Sequence, residues 1–216
     1  YPHHRSVTLT PWSLEEPERP LAPDPVEREA LFGDAKLGFL YSGNLSHPHE
    51  FYLTLKLARK MREKAVFTYS ARGNRLDDLK KAWNPEDVNV RFTAFAPLDR
   101  LEARLSAPDA HLVSLKEAYR GVAVPSKFFG ALAAGRPVLF EGSPRSAIAR
   151  WIEEYGVGWV LTEDSLRQVA EGLESFGADP AAKKALFKRC HRVYQEHFSR
   201  QAVLDRWADE LRALMK

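Results

Sequence analysis

The residues with the clearest capacity for chemistry lie in 121–140, GVAVPSKFFGALAAGRPVLF. Pro125 ends a loop, Ser126 is suited to cap a helix through its hydroxyl, and Lys127 takes the first helical position. A cation there opposes the positive end of the peptide dipole, so Lys127 does nothing for helix stability. It is well placed for an anion such as a phosphate. Gly130 falls inside the same short helix, where glycine costs about 1 kcal/mol relative to alanine. Together with Ala131, Ala133 and Ala134 it offers a surface that something can approach closely. A tightly packed helix with a solvated lysine accounts for the stretch equally well. Gly135 and Pro137 stop the helix, and 138–140 reads as a short buried strand.

Further candidates are scattered upstream and downstream. Gly43 and Asn44 follow the first apolar run, Arg72-Gly73-Asn74 the second, Lys116, Glu117 and Arg120 the fourth, and Arg145 the fifth. Glycine, small polar groups and isolated cations meeting at one crevice suit a diphosphate. Arg72 and Arg145 read equally well as surface residues. His47 and His49 could face one metal ion, but without cysteine or a carboxylate cluster beyond Glu50 no metal is expected. The segment Gly43-Asn44-Leu45-Ser46 is not the GxGxxG of dinucleotide sites, and no Walker A, GxSxG or HExxH sequence occurs.

These candidates need a scaffold that gathers them. Apolar, β-branched and aromatic runs fall at 37–42, 65–70, 88–93, 109–115, 137–140 and 157–161. Helical patterns separate them at 49–63, 76–83, 98–105, 126–134 and 146–155. Strands with little alternation between amphipathic helices predict an α/β fold, a Rossmann-like doubly wound parallel sheet of about six strands. Ligands in such sheets lie beyond the carboxyl ends of the strands, where the strand order reverses. Residues 1–34, with six of the 14 prolines, predict an extended strap with a strand fragment at 7–9 and a short helix at 26–32. The end is helical, at 166–176, 180–198 and 202–215. Lys184, Lys188 and Arg192 form a stripe that reads as a solvated face before a membrane-binding one. The organisation expected is a hinge-like segment over 1–34, a ligand-binding domain over 35–178 and C-terminal helices over 179–216.

At 216 residues the chain can bury a full core. A net charge of +3 with interspersed signs argues against a nucleic-acid partner, and no apolar run is long enough to span a bilayer. The lone Cys190 lies on an apolar helix face, reads as core, and fits a reducing, cytoplasmic setting. A chain that opens Tyr-Pro instead of Met is expected to be a fragment or a processed product.

YSGNL at 41–45, VRFTAFAPLDRLEARLSAPDAHLVSL at 90–115, VPSKFFGALAAGRPVLFEG at 124–142 and IARWIEEYGVGWVL at 148–161 carry a resemblance. In this order they resemble the C-terminal, donor-binding half of family 4 glycosyltransferases of the GT-B fold. They are most like bacterial members that assemble capsule, colanic-acid or O-antigen sugars. The resemblance covers 36–165 and implies a retaining, metal-independent hexosyl transfer from a nucleotide-diphosphate sugar, most simply a UDP-sugar. The acceptor would be a sugar or lipid-linked, at the inner membrane face for the full-length enzyme. The acceptor site would lie on an N-terminal half, so this chain alone should bind donor and not turn over. Gly43 carries over to the phosphates. The Arg and Lys that often follow are replaced by Asn44 and His49. The paired glutamates fall at Val122 and Gly130, so the ribose contact is lost or passes to Glu117. Phe95 takes the turn that lies against the base. With these replacements a non-catalytic nucleotide- or partner-binding module is the alternative, and a nucleotide-sugar 2-epimerase, which shares the architecture, is a third.

Overall fold

A computed structural model, which describes residues 7–214, shows six strands, all parallel, in the order β3-β2-β1-β4-β5-β6. They are β1 (Leu37–Asn44), β2 (Ala65–Arg72), β3 (Val90–Thr93), β4 (Ala110–Leu115), β5 (Val138–Gly142) and β6 (Gly158–Leu161). Helices cover both faces, one before the first strand and the others in the crossovers, as expected of strands apolar on either side. These are α1 (Pro25–Phe32), α2 (Tyr52–Lys60), α3 (Leu76–Ala82), α4 (Leu101–Ser106), α5 (Lys127–Ala133) and α6 (Ala147–Tyr155). Three more close the chain: α7 (Leu166–Ala178), α8 (Pro180–Val193) and α9 (Arg200–Leu214).

Successive residues of β1 divide the core. Phe39 and Tyr41 join Phe67 and Tyr69 beneath α2 and α7, while Leu40 turns to the other face with Leu31 and Phe32 of α1. Beyond the strand reversal, Val113, Leu115 and Phe140 pack with Phe128, Phe129, Ile148, Cys190 and Phe198. Cys190 is buried core, and burial raises its thiol pKa.

Several local expectations change. α2 begins at Tyr52, not at 49, because its first-turn amides are closed by a residue far away in sequence. The pattern at 180–198 is not one helix. It passes at Tyr194–Phe198 into a π-helical turn, and Ser199, extended at ψ 156°, opens α9 by accepting the Ala202 N–H. Residues 7–9 form no strand, and the predicted helix end at Met215 lies outside the described residues, as does Pro2. Asp24 caps α1 by accepting the Glu27 N–H, with Pro25 at the first helical position.

The strap 7–24 is stapled across α5 and α8. Tyr194 Oη accepts the Ser13 N–H at 3.0 Å and donates to Glu16 at 2.6 Å, and His191 Nε2 lies 2.8 Å from Pro17 O. Arg136, fully buried, sends its guanidinium to the carbonyls of Leu21, Ser106, Pro108, Ala134 and Gly135. It lies over the Phe187 ring, and burial lowers its pKa to about 10.

Candidate functional site

The strand order reverses between β1 and β4, and polar contacts join the segments that leave these strands. The first crossing of this gap comes from Lys127. Its side chain runs back from α5 to β1, where Nζ donates to Asn44 O at 3.2 Å and lies 4.9 Å from the centre of the Tyr41 ring. Gly43 makes this possible: its φ is +137°, and a Cβ there would stand 2.5 Å from Lys127 Cε. Tyr41 Oη donates to the same Asn44 carbonyl at 2.8 Å, so two donors fix it. Half-burial of the ammonium lowers its pKa to about 8.

The second crossing is made by the loop after β1. Ser114, near the end of β4, holds it twice: its carbonyl lies 2.9 Å from His49 Nδ1, and its hydroxyl accepts the Glu50 N–H at 3.1 Å. Pro48 O accepts the Lys116 N–H at 2.8 Å. Behind the loop, Arg75 donates to His49 O at 3.1 Å and stacks on Phe51, with Glu50 3.8 Å away. Burial, then the charge of Lys127, lowers the His49 pKa against the opposing Ser114 contact.

Gly43, Asn44, His49 and Lys127 are therefore one cluster. Arg72 adjoins it, being the register partner of Asn44 on β2, and its guanidinium lies 4.9 Å from the Phe95 ring centre at the turn after β3. Glu117, Arg120 and Arg145 form a separate group on the rim. Glu117 accepts from Arg120 at 2.7 Å and from Arg145 at 2.9 Å. A Ser143 hydroxyl, then Arg120 and Arg145, lowers its carboxyl pKa to about 2. Both arginines are thus already paired with a carboxylate, and Glu117 is committed to them.

Two expectations about α5 need correction. Ser126 does not cap it: Ser126 is itself helical, at φ −61° and ψ −22°, and its hydroxyl takes no amide. The amides of Phe128 and Phe129 bond to Pro125 O and Ser126 O, which leaves those of Ser126 and Lys127 outside such turns. Gly130 faces away from the cluster, since the neighbour of a Cβ there is Ser13 Oγ of the strap at 3.7 Å. That distance is ordinary van der Waals contact, so the strap does not require a glycine there. Val122 is solvent-exposed.

Two residues that matter were not anticipated. Tyr41 supplies the shared ring. Glu141, an acid within the apolar run of β5, is buried and accepts the Leu53 and Thr54 amides and the Thr54 hydroxyl, closing the N-terminus of α2. Burial raises its carboxyl pKa. A charged residue inside VLFEG was the signal that could have found it. The anion-accepting end of α2 is thus filled by the protein itself. A concavity of about 760 Å³ lies at the amino ends of β1 and β2, by Lys36, Arg62 and Lys64. Lys64 there is paired with Glu174 at 2.7 Å, and strand polarity places chemistry at the carboxyl ends instead. Among the described residues no group of three or more His, Cys, Asp or Glu could hold a metal ion, and no helix is long and apolar enough to cross a membrane.

No family model matches the chain. It is 30% identical to the probable glycosyltransferase WbjE of Pseudomonas aeruginosa, over 71% of this chain and 38% of that protein. It is 25% identical to the putative colanic acid biosynthesis glycosyltransferase WcaL of Escherichia coli K12, over 89% of this chain and 48% of that one. Among solved structures it superposes on the C-terminal domain of the group 1 glycosyl transferase LpcC from Francisella tularensis with a TM-score of 0.62, at 13% identity, over 83% of this chain and 96% of that one. Its relatives are glycosyltransferases, and its fold is that of the LpcC domain. The Anabaena protein HepE, solved with UDP-glucose, matches with a TM-score of 0.64 at 14% identity, over 89% of this chain and 54% of that one. The chain spans less than half the length of the glycosyltransferase relatives WbjE and WcaL, and its six-stranded parallel sheet matches the fold of GT-B C-terminal domains.

Proposed function

We propose that this chain is the donor-binding half of a glycosyltransferase of polysaccharide biosynthesis, and that it holds a UDP-sugar at the strand reversal. The observation that carries the reading is Lys127, whose desolvated ammonium bridges β1 and α5 where such sheets take their ligands. The diphosphate lies beside Lys127 and the backbone freed by Gly43, with Arg72 and Phe95 toward the base. HepE and the Staphylococcus aureus TarM variant, also of this fold, were solved with UDP-glucose and with UDP. As the sugar leaves, the charge gathering on the diphosphate is met by fixed cations, so no divalent ion is required. The reaction proposed is retaining transfer to a sugar or lipid-linked acceptor, with the acceptor site on a further domain. The full-length enzyme then works on the cytoplasmic side, at the membrane face when the acceptor is lipid-linked.

Calorimetric titration with UDP tests this. The chain should bind without turning over donor, and Lys127→Ala should weaken binding about 10- to 100-fold, as expected for one charge-assisted phosphate contact. Equal affinity in the variant removes Lys127 from the site. The replaced glutamate positions, Val122 and Gly130, favour a second reading, a nucleotide-binding module without transferase activity. Stabilisation by UDP but no transfer after joining to an acceptor-binding half supports that second reading.

A further inference from the structure

Two bases share the Tyr41 ring. Lys127 Nζ stands over its face, and the His49 ring meets it edge-on with centroids 6.0 Å apart and planes at 78°. Because the Ser114 carbonyl can only accept, His49 Nδ1 carries the proton of the neutral ring, and Nε2 is the bare nitrogen. Nε2 bonds to no described residue. The groups that face His49 come from three elements. They are Tyr41 of β1, whose hydroxyl is spent on Asn44 O; Lys127 of α5; and Arg75, at the start of α3, on the His49 carbonyl. Glu50, the neighbouring carboxylate, is shared between Arg75 at 3.8 Å and Lys116 at 3.9 Å. His49 is thus a half-buried imidazole among cations, with no acid of its own, and it is neutral while the crevice is empty.

A diphosphate reverses that setting, because it brings two negative charges to a place where one ammonium and one uncharged imidazole wait. We propose that the crevice takes up a proton together with its nucleoside diphosphate, at His49 Nε2, so that His49 becomes a second cationic contact beside Lys127. This rests on the donor-binding reading above, and it assigns to His49 a charge that exists only in the complex. The depressed pKa of His49 in the empty site leaves room for such a rise.

The probe is UDP-glucose, since its diphosphate diester has no ionisation near neutrality, whereas a terminal phosphate has one. Binding enthalpy measured at pH 7 in buffers of different ionisation heat gives the number of protons taken up. The wild-type chain should take up about half to one proton, and its affinity should fall toward tenfold per pH unit as pH rises through 7, short of the range about pH 8 in which Lys127 itself titrates. His49→Gln should bind more weakly with no uptake. His49→Lys should keep affinity and lose the uptake at pH 7, retaining only the weakening at about pH 8 that the titration of Lys127 brings to both proteins. NMR titration of the His49 ring in the wild-type chain gives an independent measure, as its pKa should rise on saturation. Binding without proton uptake, an unmoved His49 resonance, or unchanged uptake in a folded His49→Gln overturns this inference and leaves the donor-binding reading intact. No binding at any pH overturns both.

Discussion

Replacing Lys127 by methionine should make the protein more stable while disabling its site, and the size of the gain follows from the contacts of the ammonium. Burial lowers the Lys127 pKa from 10.5 to about 8. At 1.36 kcal/mol per unit this is a penalty of about 3 kcal/mol for holding the charge. Two contacts oppose it, the Asn44 carbonyl and the Tyr41 ring, together about 1.5–2 kcal/mol. Methionine keeps the stem that lies on Gly43 and removes both the charge and its partners. The net expectation is a stabilisation of about 1–2 kcal/mol at pH 7, roughly 2–8 °C in Tm for a domain of this size. The gain has a pH signature. Below about pH 8 the folded wild-type protein carries the buried charge and the penalty is complete. As pH rises from there toward 10.5 the folded lysine is neutral while the unfolded one is still charged, and the wild type recovers. Urea titrations of both proteins at pH 7 and pH 10 should show the difference shrink at the higher value. A variant less stable than wild type at pH 7, or a gain that does not change with pH, would refute this account of the site.

Three further outcomes are expected. His111 is buried in β4 with its pKa held at about 4 by burial, against 6.5 when unfolded, so stability should fall as pH drops from 6.5 toward 4; His111→Gln should flatten that part of the Tm profile. Arg136→Met strips the donor from five carbonyls and should cost on the order of 3–5 kcal/mol by urea unfolding, and Arg136→Lys should not recover it, since one ammonium cannot span them. Gly130→Ala should raise stability by up to about 1 kcal/mol in thermal unfolding without altering UDP binding, as its Cβ meets only Ser13 Oγ at 3.7 Å.

The sheet was readable because its strands are apolar on both faces and bounded by polar or turn residues. The strand ends were less so. β1 runs two residues beyond the apolar run because Gly43 and Asn44 still pair with Ala71 and Arg72, which their polarity hides. α2 starts late because the partner of its first turn, Glu141, is 87 and 88 residues away and no local cap exists. Lys127 was visible through its conflict with the helix dipole, yet its direction was not, since that depends on the left-handed Gly43 across the strand reversal. Gly130 shows the converse. A glycine that reads as room for a ligand faces Ser13 of the strap, 117 residues away, and leaves space there for a Cβ. The cations Arg120 and Arg145 could be counted from sequence, but not their shared partner Glu117.

The strap is gripped asymmetrically. What Arg136 and His191 touch on it are main-chain carbonyls, those of Leu21 and Pro17, and the Leu21 amide reaches Ala134 O. Backbone atoms are the same whatever residue bears them. Substitution along 17–21 should therefore be widely tolerated, while Arg136 and His191 should resist change, so that across a lineage the two sides of one interface drift at different speeds. Saturation mutagenesis scored by folding would display that imbalance directly.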